Sequence, residues 1–358
     1  MNASTIQHLI RDCRFDICQD NDFNPYKYIY SAKGGNRCVK LFKILLSSDC
    51  RFDCSYCPNG KHRGRSITPE ELSRAFFTLR RKGKVTGAFI SSAVDGDSQK
   101  VMDDILRAGE LIRERFKGYL HLKVMPGANR DQIRRALELA SRVSINVETT
   151  SNTRMKELSS VKDLNNDIMR RERWISDEVK RCNRDTVDVE KESQLKGQMK
   201  LKSHTTQLIA GVGESDEEII DAMQIHYRKF EVARMYMSPF RPVKDTPMAK
   251  NDPEDKKRVA NLYRADALVR IYGYDIKHLK EILVDGALPC KDPKELIAQR
   301  LCGSQKLKLK PIQIPGIGKK GVELLEEGYT FADLKKMGYR MRKAAPYLPS
   351  QSRLNEFG

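Results

Sequence analysis

The chain has 358 residues, with 66 Lys+Arg against 48 Asp+Glu, a formal charge of +18, and 39% hydrophobic and 32% charged residues. A chain of this length buries a sizeable core without disulfide staples, and it has room for one large domain and a smaller one. No run reaches the roughly 18 apolar residues of a membrane helix, and the opening MNASTIQHLIRDCRFDICQD is charged where a signal peptide would be apolar. The expected place is therefore the cytoplasm, without a membrane partner. A pI near 9.4 points instead to a polyanionic one.

Tyr26, Tyr28 and Tyr30 alternate at strand spacing, as stacking rings for bases or as the packed face of an amino-terminal strand. VKLFKILL, from Val39 to Leu46, reads as a buried strand. Just past its C-terminal end, Cys50, Cys54 and Cys57 fall within eight residues as C-x3-C-x2-C. Structural zinc asks for four ligands, and His62 is the only nearby candidate for a fourth. A cubane iron–sulfur cluster fits three thiolates better and leaves one iron free to bind a small molecule. The remaining cysteines, Cys13, Cys18, Cys38, Cys182, Cys290 and Cys302, have no cluster spacing and read as buried free thiols. The basic run Lys61 to Arg65 suits either a nucleic-acid channel or a solvated loop.

Helices and strands then alternate. Pro69 to Gly83 is a helix with Thr68 as N-cap. Gly87–Val94 reads as a strand, 97–116 as a helix, Tyr119–Pro126 as a strand, 129–140 as a helix and Ser144–Ser151 as a strand. The charge-rich stretch from about Thr153 to Ser203 reads as an exposed helical excursion. Thr205–Gly213 and Val232–Phe240 complete six strands, with helix 214–230 between them. Lys123 and Arg241, near strand ends, suit either a substrate phosphate or salt bridges across a barrel mouth. Beyond 250 the pattern is helical, and residues 291–358 hold 14 Lys+Arg against 7 Asp+Glu. There PGIGKKGVELL resembles the hairpin of a helix-hairpin-helix motif. Gly316 and Gly318 would let backbone N–H groups approach a phosphate at a helix start, with Lys319 and Lys320 adding charge. Val322 stands where that motif usually has Ala.

The cysteine triplet, with Tyr56 before its last member, resembles the signature of radical S-adenosylmethionine (SAM) enzymes. The resemblance implies an α/β fold, a partial (β/α)6 barrel with chemistry at the C-terminal strand ends. It also implies a [4Fe-4S] cluster on Cys50, Cys54 and Cys57 whose open iron binds SAM, which is cleaved to a 5'-deoxyadenosyl radical that abstracts hydrogen from substrate. HLKVMPGANRDQI, SINVETTS, TTQLIAGVGESDEEI, MYMSPFRPVKDTP, IPGIGKKGVELL and FADLKKMGYRMRKA are, in this order, similar to a radical SAM family assigned to DNA modification or repair. Members of that family are often encoded beside a uracil-DNA glycosylase. Ser91 and Ser92 stand where many radical enzymes carry a Gly-Gly-Glu type motif, and the family resembled also has serines there. Glu148 matches its acidic position, to contact ribose or amino group. Asn146 shares the face of Glu148 under period-two alternation. Asn59, Gln207, Gly211 and Ser238 complete the expected SAM contacts.

The expected domains are an extension over 1–38, the radical SAM barrel over 39–250, a helical connection over 251–306 and a small helix-hairpin-helix tail over 307–358. DNA is the expected substrate class, with ferredoxin or flavodoxin as electron donor and a uracil-DNA glycosylase as a possible partner. A tRNA- or rRNA-modifying enzyme of the same chemistry, and a nucleic-acid-binding protein with a structural cluster, are the alternatives.

Overall fold

In the computed structural model the described residues are 3–13, 29–34, 37–60, 64–193, 201–305, 309–339 and 341–348. Cys18, Tyr26, Tyr28 and His62, with most of the run from Lys61, lie outside them, as does the side chain of Cys38. Two compact units emerge, residues 1–214 with 225–254, and residues 215–224 with 255–358. No helix among the described residues is long and apolar enough to cross a membrane.

The first unit is built on a seven-stranded sheet in strictly sequential order: β1 (Tyr30–Gly34), β2 (Arg37–Leu45), β3 (Gly87–Ser91), β4 (Tyr119–Lys123), β5 (Arg142–Ser144), β6 (Ser203–Ala210) and β7 (Arg234–Pro239). β1 pairs antiparallel with β2, while the other five pairings are all parallel. Six parallel strands in an open array form the expected partial barrel. Parallel strands covered on both faces read as near-continuous apolar runs, and β2 buries Leu41, Phe42, Ile44 and Leu45 accordingly.

Each crossover helix carries its own start signal. α2 (Pro69–Arg81) has Thr68 in a reciprocal capping box with Glu71, proline in the first turn, and Arg80 and Arg81 in the last. Its Phe76 is fully buried, with ring centroids 5.0 Å from Phe116 and 6.5 Å from Phe42. Asp97 caps α3 (Ser98–Arg113), and Asn129 with Gln132 boxes α4 (Arg130–Leu139). An amino-terminal helix, α1 (Ala3–Asp12), ends on the buried Cys13.

The stretch from Thr153 departs from the expected exposed excursion. It comprises α5 (Asn152–Leu158), a π-helical segment at Leu164–Met169 and α6 (Arg170–Ser193). One stripe of it is buried: Ile168, Glu172 and Ile175, the Glu172 carboxylate 2.9 Å from His226 Nδ1. It is therefore the crossover between β5 and β6, and it buries charged side chains as well, Lys162, Glu172 and Glu178. The strand expected over Ser144–Ser151 also ends early. Glu148 adopts φ 64, the left-handed region, and keeps only a single bridge to Leu208.

The second unit is helical: α7 (Asp216–Gln224), α8 (Lys256–Arg270), α9 (Ile276–Lys280), α10 (Pro293–Gln305), α11 (Lys319–Glu326) and α12 (Phe331–Lys336). Around α11 and α12, Ile314, Ile317, Val322, Leu334, Met341, Ala344 and Leu348 form a separate small core. Val322 is part of it, and the neighbouring Gly321 lies against Ile317 and Tyr339, where a Cβ would be 3.3 Å from Ile317 Cγ2.

Among the described cysteines outside the triplet, Cys13 is buried. Cys290 is exposed, and Cys182 and Cys302 are half-buried, because each lies on or beside a helix with one face toward water.

Candidate active site

In parallel strands all C-terminal ends point the same way, so residues far apart in sequence meet there. The loop from Cys50 to Gly60 leaves β2 at this end and is pinned to its neighbours through the backbone. Arg51 N donates to Val94 O at 2.7 Å, Ser55 N to Leu158 O at 2.8 Å and Cys57 N to Cys54 O at 3.1 Å. Two glycines make the close turn possible. A Cβ on Gly60 would lie 2.4 Å from Phe52 O, and one on Gly64 would lie 2.1 Å from Asp49 N.

A cavity of about 850 Å³, including its open mouth, lies at these strand ends. Cys50, Cys54 and Cys57 share its wall with Tyr56, Asn59, Ser91, Ser92, Asn146, Glu148 and Gln207, and with Lys123 at the end of β4. Asn146 Nδ2 donates to Glu148 Oε1 at 3.4 Å. Ser92 Oγ accepts from Ser47 N at 3.1 Å, joining the ends of β2 and β3. Gly211 and Ser238 are not part of that wall. Gly211, at φ 96, forms a turn in which its N–H and that of Val212 donate to Glu214, at 2.7 and 2.9 Å. Ser238 is buried on β7 opposite Ile209. Arg241, too, stands outside the wall, unlike Lys123.

Asp12, Phe52, Met125 and Lys162 also line the cavity, and sequence patterning did not single them out. Lys162 sits in the stretch read as solvent-exposed, more than a hundred residues beyond the triplet. Its ammonium lies 4.0 Å from Glu148 Oε1 and 5.0 Å from the centroid of the Phe52 ring. Asp53 ties its segment to the cysteine loop: Ser159 Oγ donates to one carboxylate oxygen at 2.5 Å, while Ser160 N and Oγ donate to the other at 3.0 and 2.5 Å.

Burial pushes the Cys57 thiol up to about 12 and also raises that of Cys50. Tyr56 is raised as well, by burial first and then by Glu148 and Cys54. Lys162 loses to burial but gains more from Cys54 and Glu148, so it keeps its charge. The Asp53 carboxyl, despite the opposing effect of burial, is held down to about 2 by the hydrogen bonds from Ser159 and Ser160. Its folded value is below the unfolded one, so the clasp is intact at neutral pH and is lost as pH falls from about 4 through about 2. Asp53→Ala should cost roughly 1–3 kcal/mol at pH 7. In denaturant titrations at successive pH values, the gap between variant and wild type should close across that acid window.

Three soft thiol donors on one wall suit iron–sulfur or zinc chemistry. Among the described residues, no group of three or more His, Cys, Asp or Glu is arranged to hold a single metal ion. A cubane is broader than one ion and asks its thiolates to line a larger space, so the donor set fits a cluster.

The second unit holds the other candidate residues. Gly316, at φ 84, turns the chain ahead of α11, and Gly318 occupies the N-cap without a side-chain cap. Lys319 and Lys320 are exposed in the first turn. Behind the hairpin, Lys294 Nζ donates to Ile317 O at 2.7 Å.

No curated protein matches this chain. Among solved structures it is similar to methylornithine synthase (PylB), with 14% identity over 75% of this chain and 74% of that one and a TM-score of 0.50. It is also similar to the [FeFe]-hydrogenase maturase HydG from Carboxydothermus hydrogenoformans, at 13% identity, 69% and 57% coverage and a TM-score of 0.46. A third similarity is to Streptococcus suis SuiB bound to S-adenosylmethionine, at 12%, 85% and 71%, and 0.48. The chain spans 57% of that HydG and half of a second HydG structure. At such identities only the fold is at issue, and methylornithine synthase supports the partial barrel. The family model named Radical SAM superfamily matches residues 44–225, about half of the chain, from the end of β2 through α7. The chain belongs to the radical SAM superfamily, enzymes that use a [4Fe-4S] cluster and S-adenosylmethionine.

Proposed function

We propose that the chain is a radical SAM enzyme acting on nucleic acid, DNA before RNA, in modification or repair. Cys50, Cys54 and Cys57 hold the cluster, and the carrying observation is that these thiols share one cavity wall with the polar strand-end residues. When bound, the cluster and SAM supply one-electron cleavage of the sulfonium and a 5'-deoxyadenosyl radical. The protein's own part is positioning and exclusion of water. Asn59, Ser91, Ser92 and Gln207 offer hydrogen bonds around the cavity, and the Asn146–Glu148 pair offers an acceptor to a ribose or amino group. Tyr56 packs beside Leu158, Ile209, Val212 and Phe240 and fixes the loop between two of the cysteines. Lys123, the cation at the end of β4, faces a substrate phosphate.

Nucleic acid is favoured by the charge of +18 and by the hairpin. A helix start normally favours acidic residues, yet α11 has none in its first turn and carries Lys319 and Lys320 there. That arrangement gains most when a phosphate occupies the turn, where the Gly316–Gly318 backbone lies close by. A ferredoxin or flavodoxin supplies the electron, and the family resemblance makes a uracil-DNA glycosylase a partner to test. A purely structural cluster would call for four thiolates, and the triplet has three. The test is anaerobic incubation of the reconstituted protein with dithionite, SAM and either duplex DNA or structured RNA, followed by mass spectrometry of the digested nucleosides. A new, protein-dependent nucleoside from DNA is expected. One arising from RNA alone would move the substrate to tRNA or rRNA, and none from either would remove nucleic acid as the substrate.

A further inference from the structure

We propose that Lys294 is a positioning residue for nucleic-acid binding: from behind the hairpin it holds the Ile317–Gly318 peptide so that the Gly318 N–H faces outward, toward a backbone phosphate. This rests on the reading of the Gly316–Lys320 hairpin as a phosphate site. Lys294, in the first turn of α10, is only 9% exposed, and its Nζ donates to Ile317 O at 2.7 Å. The ammonium also lies 4.7 Å from the centroid of the Tyr272 ring, just past the end of α8. The hydroxyl of that ring stands 3.7 Å from where a Cβ on Gly318 would be, so lysine and tyrosine back the same peptide. Asp292, the acid at the start of α10, is engaged otherwise. Its Oδ1 accepts from Lys294 N at 3.0 Å, and its Oδ2 pairs with Lys343 Nζ at 3.2 Å. A buried ammonium is costly unless it is hydrogen-bonded, and among the described residues its acceptor is the hairpin carbonyl.

In a trans peptide the carbonyl and the following N–H point in opposite directions, and no described peptide is cis. With Ile317 O turned toward Lys294, the Gly318 N–H is turned away from it, and no acceptor among the described residues meets that N–H. Gly318 is half-buried, whereas Gly316 and Lys319 on either side are exposed. Next to it stand the unpaired N–H groups that every helix start leaves. Glycine leaves φ at 318 free to turn at little cost, so an unclamped peptide can rotate its N–H away. Lys294 removes that freedom. A lysine that served only to tie α10 to the hairpin would weaken DNA binding by loosening the unit, whether or not residue 318 had an N–H.

The experiment measures affinity for mixed-sequence duplex DNA by fluorescence anisotropy. It uses the full-length chain as wild type, K294M, G318P, the K294M/G318P double variant and K319A/K320A, with circular dichroism on each. K294M should bind about tenfold more weakly, equally for unrelated sequences. G318P removes the N–H at an extended position, φ −91 and ψ 174, that a proline can occupy. It should lose a similar amount, and adding K294M to it should change nothing further. Equal losses from K294M with and without G318P would make Lys294 a packing residue and overturn the proposal, as would a folded K294M with wild-type affinity. Should K294M fail to fold, G318P decides: a loss of about tenfold supports the proposal and wild-type affinity overturns it. If K319A/K320A binds as wild type does, the hairpin reading fails and this inference falls with it.

Discussion

Replacing any one of Cys50, Cys54 or Cys57 by Ala should lower the iron content of anaerobically reconstituted protein from about four per chain to below one, with loss of the cluster absorption. The triplet supplies three thiolates, and no other cysteine lines the cavity wall. Asp12 and Glu148 are hard carboxylates. Two thiolates leave a second iron exposed, and a cubane so held is open to loss of iron. Fold and cluster should separate cleanly in this test. The loop is fixed by Arg51, Ser55 and Asp53 through groups that no Cys→Ala change removes, so circular dichroism should match wild type. Retention of four irons in the Cys54→Ala protein would place the ligands elsewhere in the chain.

The second large effect belongs to the hairpin. Lys319→Ala with Lys320→Ala should flatten the slope of log affinity against log salt for duplex DNA by about 2 units, at roughly −0.9 per phosphate contact. Near 0.1 M salt this amounts to roughly a 50-fold loss of affinity if the non-electrostatic part is unchanged. The loss should be equal for unrelated sequences, because phosphate contacts carry no base information. Neither side chain belongs to the small core around α11, so the unit should remain folded. Fluorescence anisotropy across a salt series checks both quantities, and an unchanged slope would assign these lysines to solvent.

Strands and capped helices were legible because their causes are local. The β-branched and apolar run of β2, the Thr68–Glu71 box and the glycine after α2 each act within a few residues. The triplet and the strand-end residues Ser91, Asn146, Glu148 and Gln207 were legible for a related reason. Parallel strands in chain order bring their C-terminal ends together without help from distant contacts. What escaped depends on side chains that meet across long separations. Lys162 reaches the cavity because Asp53 grips Ser159, 106 residues on, and no periodicity announces that clasp. Glu172 looks like one more surface charge in a charge-rich helix, yet it is fully buried against His226. SINVETTS alternates like a strand, but the paired strand stops at Ser144, and Glu148, in the left-handed region, keeps one bridge to Leu208 and lines the cavity.

The decisive measurement is 5'-deoxyadenosine release by the anaerobically reconstituted, dithionite-reduced chain supplied with SAM. Slow release without substrate is predicted, faster in the presence of the right nucleic acid, and absent from the Cys54→Ala protein. A fully loaded, reduced cluster that releases none, with or without DNA or RNA, would contradict it.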